Sequence, residues 1–196
     1  MEDELPSASP VYDPQGTVQD ALTVYFEAYG LGTGGYDQPY EIIKLFGFLP
    51  ILLPNPPARK RALRCHDLNH VLGSYNALIG EGEIDIAGFE IGAVGGCRGF
   101  AVAWTINLFF FGLGILKRPR PLYRAFARAR GARNAYSLPS AEGEVLGRNL
   151  GDLRTELQIP DVAKDPRAAL PSFLMWSAVA LSLLLSPLAL LTWILL

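Results

Sequence analysis

His66 and His70 are the only histidines in the chain, and they stand four residues apart with Asp67 between them. On a helix, that spacing projects both side chains from one face. Two imidazoles on one face, with carboxylates in reach, suit a borderline-to-hard divalent metal. The carboxylates in reach are Asp67, Glu81 and, just beyond it, Glu83. A zinc-protease helix of the HExxH type uses a glutamate after its first histidine as base. Here His66-Asp67-Leu68-Asn69-His70 carries an aspartate, one methylene shorter, which suits a ligand or an orienting group better than a base. Cys65, adjacent to His66, reads as a small buried hydrophobe rather than a ligand.

The elements that must position these residues read as helices. Thr17 to Tyr29 carries Val18, Ala21, Leu22 and Tyr25 near helical spacing and is closed by Gly30. Gly30, Gly32 and Gly35 spell G-x-G-x-x-G, but after a helix rather than a strand, so a turn is expected and not a dinucleotide site. A second helix is expected from Pro39 through Ile42, Ile43, Leu45, Phe46 and Phe48, ended by Pro50 and Pro54. Asn55-Pro56-Pro57 starts the helix that carries Cys65-His66-Asp67. Glu81 opens a glycine-blurred helix through Val94, and Gly99 to Leu116 forms an apolar helix, buried or membrane-facing. A basic helix over Pro121 to Ala135 and a short one over Leu150 to Leu157 follow. No strand-type alternation is present, so the fold class expected is all-α: a helical bundle with a C-terminal transmembrane helix.

Residues 172–196 contain no charged side chain, and this run of 25 is long enough to cross a bilayer with some tilt. Trp176 and Trp193 lie near its ends, where interfacial aromatics belong. Lys164 and Arg167 precede the run and no basic residue follows within it, which places the preceding domain on the cytoplasmic side. The organisation expected is an irregular arm over 1–16, a helical metal-binding domain over 17–160, a linker over 161–171 and an anchor over 172–196. The first residues are acidic, so no secretory leader is expected. Two cysteines, Cys65 and Cys97, build no disulfide framework and fit a reducing compartment. A net charge of −2 gives no bulk attraction to nucleic acid. The basic residues from Lys117 to Arg133 form either a solvated helix face or a surface for anionic lipid head groups.

The residues His66-Asp67-x-x-His70 with Gly80-Glu81 resemble the zinc motif of the fourth protein of coenzyme Q (ubiquinone) biosynthesis and its bacterial relatives, the Coq family. Val71-Leu72-Gly73, the Gly-Glu-x-Glu-Ile of 80–84, Phe89-Glu90 and Leu153-Arg154-x-Glu156-Leu157 extend the similarity, which spans Thr17 to Pro160. Ten residues separate His70 from Glu81, one fewer than the family places before its glutamate, whereas Glu83 overshoots by one. The resemblance implies His66, Asp67, His70 and Glu81 as ligands to Zn2+ or another divalent metal, with Glu83 as the alternate. It also implies an all-α fold and a membrane-bound role in ubiquinone biosynthesis, with other proteins of that pathway as possible partners. The implied reaction is a lyase-type oxidative decarboxylation of a polyprenylated hydroxybenzoate. Leu45-Phe46-Gly47-Phe48-Leu49 and Phe100 to Leu116 would then hold the isoprenoid tail. Two further readings stand beside it: a non-catalytic scaffold for prenyl-lipid or quinone intermediates, and a metal-dependent lipid hydrolase. The family's ordinary members lack the C-terminal apolar segment.

Overall fold

A computed structural model describes residues 9–45, 49–78 and 80–195. The chain folds as a helical bundle with one small hairpin, and its last helix is long and apolar enough to cross a membrane. Helix α1 (Val18–Tyr29) is held at its start by a reciprocal capping box between Thr17 and Asp20, and Gly30 closes it at φ 63°. A cap of this kind is worth about 0.5–2 kcal/mol. The left-handed Gly30 shows that the first glycine of the G-x-G-x-x-G reading ends a helix.

The helix expected from Pro39 to Phe48 is instead an antiparallel hairpin. Strand β1 (Tyr40–Leu45) pairs with β2 (Leu49–Pro54), Tyr40 opposite Pro54. The physical reason lies in the prolines: Pro50 and Pro54 deny this segment helical hydrogen bonds but are tolerated in a strand that has a partner on one side only. Residues 46–48, part of the proposed tail-binding stretch Leu45–Leu49, lie outside the described residues. Asn55 anchors the return of the hairpin. It is buried, and its amide donates to the carbonyls of Gly35 and Gln38 at 3.2 and 3.1 Å.

Helix α2 (Pro57–Gly73) follows, with proline in its first turn, and α3 (Gly82–Gly92) returns beside it. Helices α4 (Ala101–Lys117) and α5 (Pro119–Ala129) pack on α3. The basic helix therefore starts slightly earlier and ends sooner than its composition suggests. After two single 3-10 turns, α6 (Leu150–Glu156) docks against the start of α1, where Leu150 N–H donates to Gly16 and Val18 N–H to Arg148. Helix α7 (Pro166–Leu195) begins inside the expected linker and runs without a break through Ser186-Pro187.

Helix α3 is the shared wall of two apolar clusters. Ile86 and Phe89 face the first, with Leu22, Tyr25, Leu68, Leu72 and Leu153. Ile84, Ala87 and Ile91 face the second, with Phe111, Leu122 and Phe126. The glycines that blur the helical pattern of α3 have a packing use. A Cβ on Gly92 would stand 2.5 Å from the Phe126 carbonyl oxygen, and one on Gly88 would stand 2.7 Å from that of Leu122. Glycine here lets two helix backbones approach closely.

The first half of α7 covers the second cluster. Phe173 packs on Phe111, Tyr123 and Phe126, Trp176 stacks on Trp104 at 5.0 Å, and Gly112 faces Ala180. Its other face, including Leu170, Leu174, Met175, Val179 and Leu183, is exposed.

Candidate metal centre

Helix α2 brings His66 and His70 together as the spacing requires. Their Nε2 atoms are 3.2 Å apart, and the rings meet edge to face. The first turn of α3 adds Glu83: Oε2 lies 3.3 Å from His66 Nε2 and Oε1 lies 3.4 Å from His70 Nε2. Among the described residues, His66, His70 and Glu83 are the set whose donor atoms crowd closely enough to hold an ion. An ion bound at about 2.0–2.1 Å in tetrahedral geometry has ligand atoms about 3.3–3.4 Å apart. The separations of 3.2, 3.3 and 3.4 Å are of this size, with the Glu83 carboxylate presenting one oxygen to each histidine. His70 is fully buried, while the side chains of His66 and Glu83 are each 18% exposed, so the site opens to solvent past those two.

Glu81 takes no part in this set. It stands immediately before α3, half-exposed, with Oε1 2.5 Å from Arg118 Nη1. The sequence holds two consecutive Gly-Glu pairs, Gly80-Glu81 and Gly82-Glu83, and the second supplies the carboxylate beside the histidines. A tertiary contact fixes that register. A Cβ on Gly82 would stand 1.7 Å from the Asn76 carbonyl oxygen, so α3 can begin only with glycine pressed against that loop.

Asp67 also lies outside the set. Adjacent helical residues point about 100° apart, and Asp67 turns toward Tyr36, whose hydroxyl donates to Oδ2 at 2.5 Å. Burial lifts the Asp67 carboxyl to about 6, against the opposing pull of His66. The same burial, reinforced by Asp67, raises the Tyr36 hydroxyl. The guanidinium of Arg64 lies over the Tyr36 ring.

Glu90, on α3, completes the centre from behind. It is fully buried, and Oε1 lies 3.0 Å from His66 Nδ1. Asn69 donates to the same oxygen at 2.8 Å, while Asn107 and Tyr136 donate to Oε2 at 2.6 and 3.1 Å. A buried carboxylate is tolerable only with such a set of donors. When His66 donates from Nδ1 to Glu90, its Nε2 lone pair points into the His70–Glu83 triangle, which is the carboxylate–histidine–metal arrangement. The cage is itself held: Asn69 Oδ1 accepts from the Ala135 N–H at 2.7 Å. His70 Nδ1, in contrast, is buried without a hydrogen-bond partner among the described residues, and its ring stacks on Tyr25 at 5.5 Å.

The charges respond to one another. Burial works against a charged His66, but Glu90 and then Glu83 outweigh it and raise the imidazole well above its usual value. Burial would raise Glu83, yet His66 and His70 outweigh it and hold the carboxyl far below the usual range. The pocket thus attracts positive charge, from a proton or a cation.

Cys65 packs in the first cluster, and burial pushes its thiol up to about 12. Glu90 is the functional residue that reading for ligands misses. Its signal is a lone carboxylate among the apolar residues Ile86 to Val94. No family model, curated protein or solved structure matches the chain.

Proposed function

We propose that this protein is a membrane-associated metalloenzyme of ubiquinone biosynthesis, acting in oxidative decarboxylation of a polyprenylated hydroxybenzoate. The observation that carries the reading is the His66–His70–Glu83 triangle, backed by Glu90. The motif resemblance and the apolar α7 supply the pathway and the membrane. Two imidazoles and one carboxylate suit Zn2+, and the same donor set suits ferrous iron. When bound, the metal supplies Lewis-acid polarisation and a template for an anionic aromatic acid.

The chain's own residues have separate tasks. Glu90 holds the His66 tautomer, and Tyr36 holds the buried Asp67 away from the His66–His70–Glu83 set. The exposed stripes of α4 and α7 suit the isoprenoid tail and its lipid surroundings. In the net reaction the ring carboxyl leaves as carbon dioxide and a hydroxyl takes its place, its proton coming from the carboxyl group or from solvent. Dioxygen supplies that oxygen atom, and an external two-electron donor with two protons reduces the other to water. Lys164 just before α7 and Arg167 in its first turn support a reading in which the metal domain lies on the cytoplasmic side of the cell inner membrane.

The test is elemental analysis and lipid extraction of the purified full chain, followed by turnover of a prenylated hydroxybenzoate with and without chelator. Chelator-sensitive carbon dioxide release is expected. Bound metal and prenyl lipid without turnover would replace the enzyme with a scaffold for the same intermediates.

A further inference from the structure

Helix α4 has two unlike faces. Ala103, Asn107, Phe111 and Gly114 are buried on the domain. Val102, Ile106, Phe109 and Leu116 are 38–64% exposed and follow one another at helical spacing, so they form a continuous apolar stripe along the opposite side. Such a stripe needs a cover.

The cover is indicated by the neighbour. Helix α4 is pinned to α7 by Trp104 on Trp176, Phe111 on Phe173 and Gly112 against Ala180. A bilayer that receives the exposed Leu174, Val179 and Leu183 of α7 therefore reaches α4 as well. Helix α4 itself does not span. Its 17 residues reach about 25 Å, short of a bilayer core. Arg98 precedes it, Lys117 ends it, and Asn107 ties its inner face to Glu90. A helix with one face on protein, one apolar face free and basic residues beside both ends suits the plane of the membrane surface.

We propose that α4 is a second membrane-embedded element, lying in the plane of the bilayer with Val102, Ile106, Phe109 and Leu116 in the acyl region. The inference rests on the membrane reading of α7 and adds that the metal domain is seated on lipid rather than suspended from a tether. The stripe sits about 5–10 Å into the head-group boundary. Exposed Lys117 and Arg120 meet the lipid phosphates there. Because Asn107 bonds Glu90, and Glu90 bonds His66, the seated helix lies two hydrogen bonds from the metal centre.

The experiment uses the full chain in vesicles of phosphatidylcholine and phosphatidylglycerol brominated at a shallow or a deep acyl position. One variant, Trp104→Phe with Trp176→Phe, keeps Trp193 as its only indole. A second adds Trp193→Phe and Phe109→Trp. Fluorescence loss in both, strongest at position 109 with the shallow bromines, is the expected result. Loss at 193 without loss at 109 overturns the inference and leaves the membrane reading of α7 standing. No loss in either removes both. Should these replacements unfold the protein, a photoreactive benzophenone amino acid at position 106 of the otherwise unaltered chain gives the same decision. Lipid adducts support the proposal. Adducts to another protein in cell membranes overturn it.

Discussion

Glu90 Oε1 and His66 Nδ1 meet at 3.0 Å on the side of the imidazole turned away from His70. The contact joins α3 to α2 and decides which nitrogen of His66 is free for a metal. Removing the charge should weaken the centre without emptying it. In Glu90→Gln, one amide group faces donors where the carboxylate accepted. Metal affinity should fall roughly 10–100-fold, and stability by about 1–3 kcal/mol from unpaired donors. Chelator competition and denaturant unfolding measure the two effects. Unchanged affinity would reject the role assigned to Glu90.

Glu83 and Glu81 separate cleanly. Glu83→Ala and His70→Ala should each remove the bound metal while far-UV circular dichroism retains most of the helix signal. Glu81→Ala should keep the metal and lose only its surface pair with Arg118, within about 1 kcal/mol. Metal content measured on the three proteins distinguishes the alternatives. A metal-free Glu81→Ala protein would restore the first Gly-Glu pair as the ligand.

The thiols give a pH prediction. Burial pushes Cys65 up to about 12 and Cys97 higher still, with Glu90 adding to both. Free cysteine titrates near 8.5, so the unfolded chain loses thiol protons before the folded one. The stabilising preference is fully present below about pH 8.5 and is lost as the pH rises toward the folded values. Iodoacetamide at pH 8 should leave both cysteines unmodified in the native protein and alkylate both in denaturant. Rapid native labelling of either would contradict its burial.

Helix packing offers a comparison between two glycines. Gly92→Ala drives a methyl into the Phe126 carbonyl and should cost about 1–3 kcal/mol. Gly147→Ala meets nothing closer than 3.9 Å and should stay within about 0.5 kcal/mol of the parent. Thermal or denaturant melts of the pair test the close approach of α3 and α5.

Much of this was readable in the residues because it is local. The four-residue spacing of His66 and His70 sets a common face whatever surrounds it, and Val18, Ala21, Leu22 and Tyr25 mark the first helix by their own spacing. Freedom from charge over 172–196 marks most of α7. The misreadings fall where distant contacts decide. Ile42, Ile43 and Leu45 fit a helix or a strand until Leu49–Pro54 returns to pair with them. The choice between two adjacent Gly-Glu pairs depends on the contact of Gly82 with Asn76, which no spacing reveals. Asp67 faces Tyr36, thirty-one positions away, rather than the histidines.

The double-faced α3 has a consequence for cooperativity. One side carries Ile86 and Phe89 into the cluster around Tyr25, and the other carries Ile84 and Ile91 into the cluster beneath α7. Unwinding α3 removes its side chains from both clusters at once. The metal-bearing helices and the helices around the second cluster are therefore coupled through α3, and destabilising either cluster should lower the occupancy of the ligand geometry at Glu83.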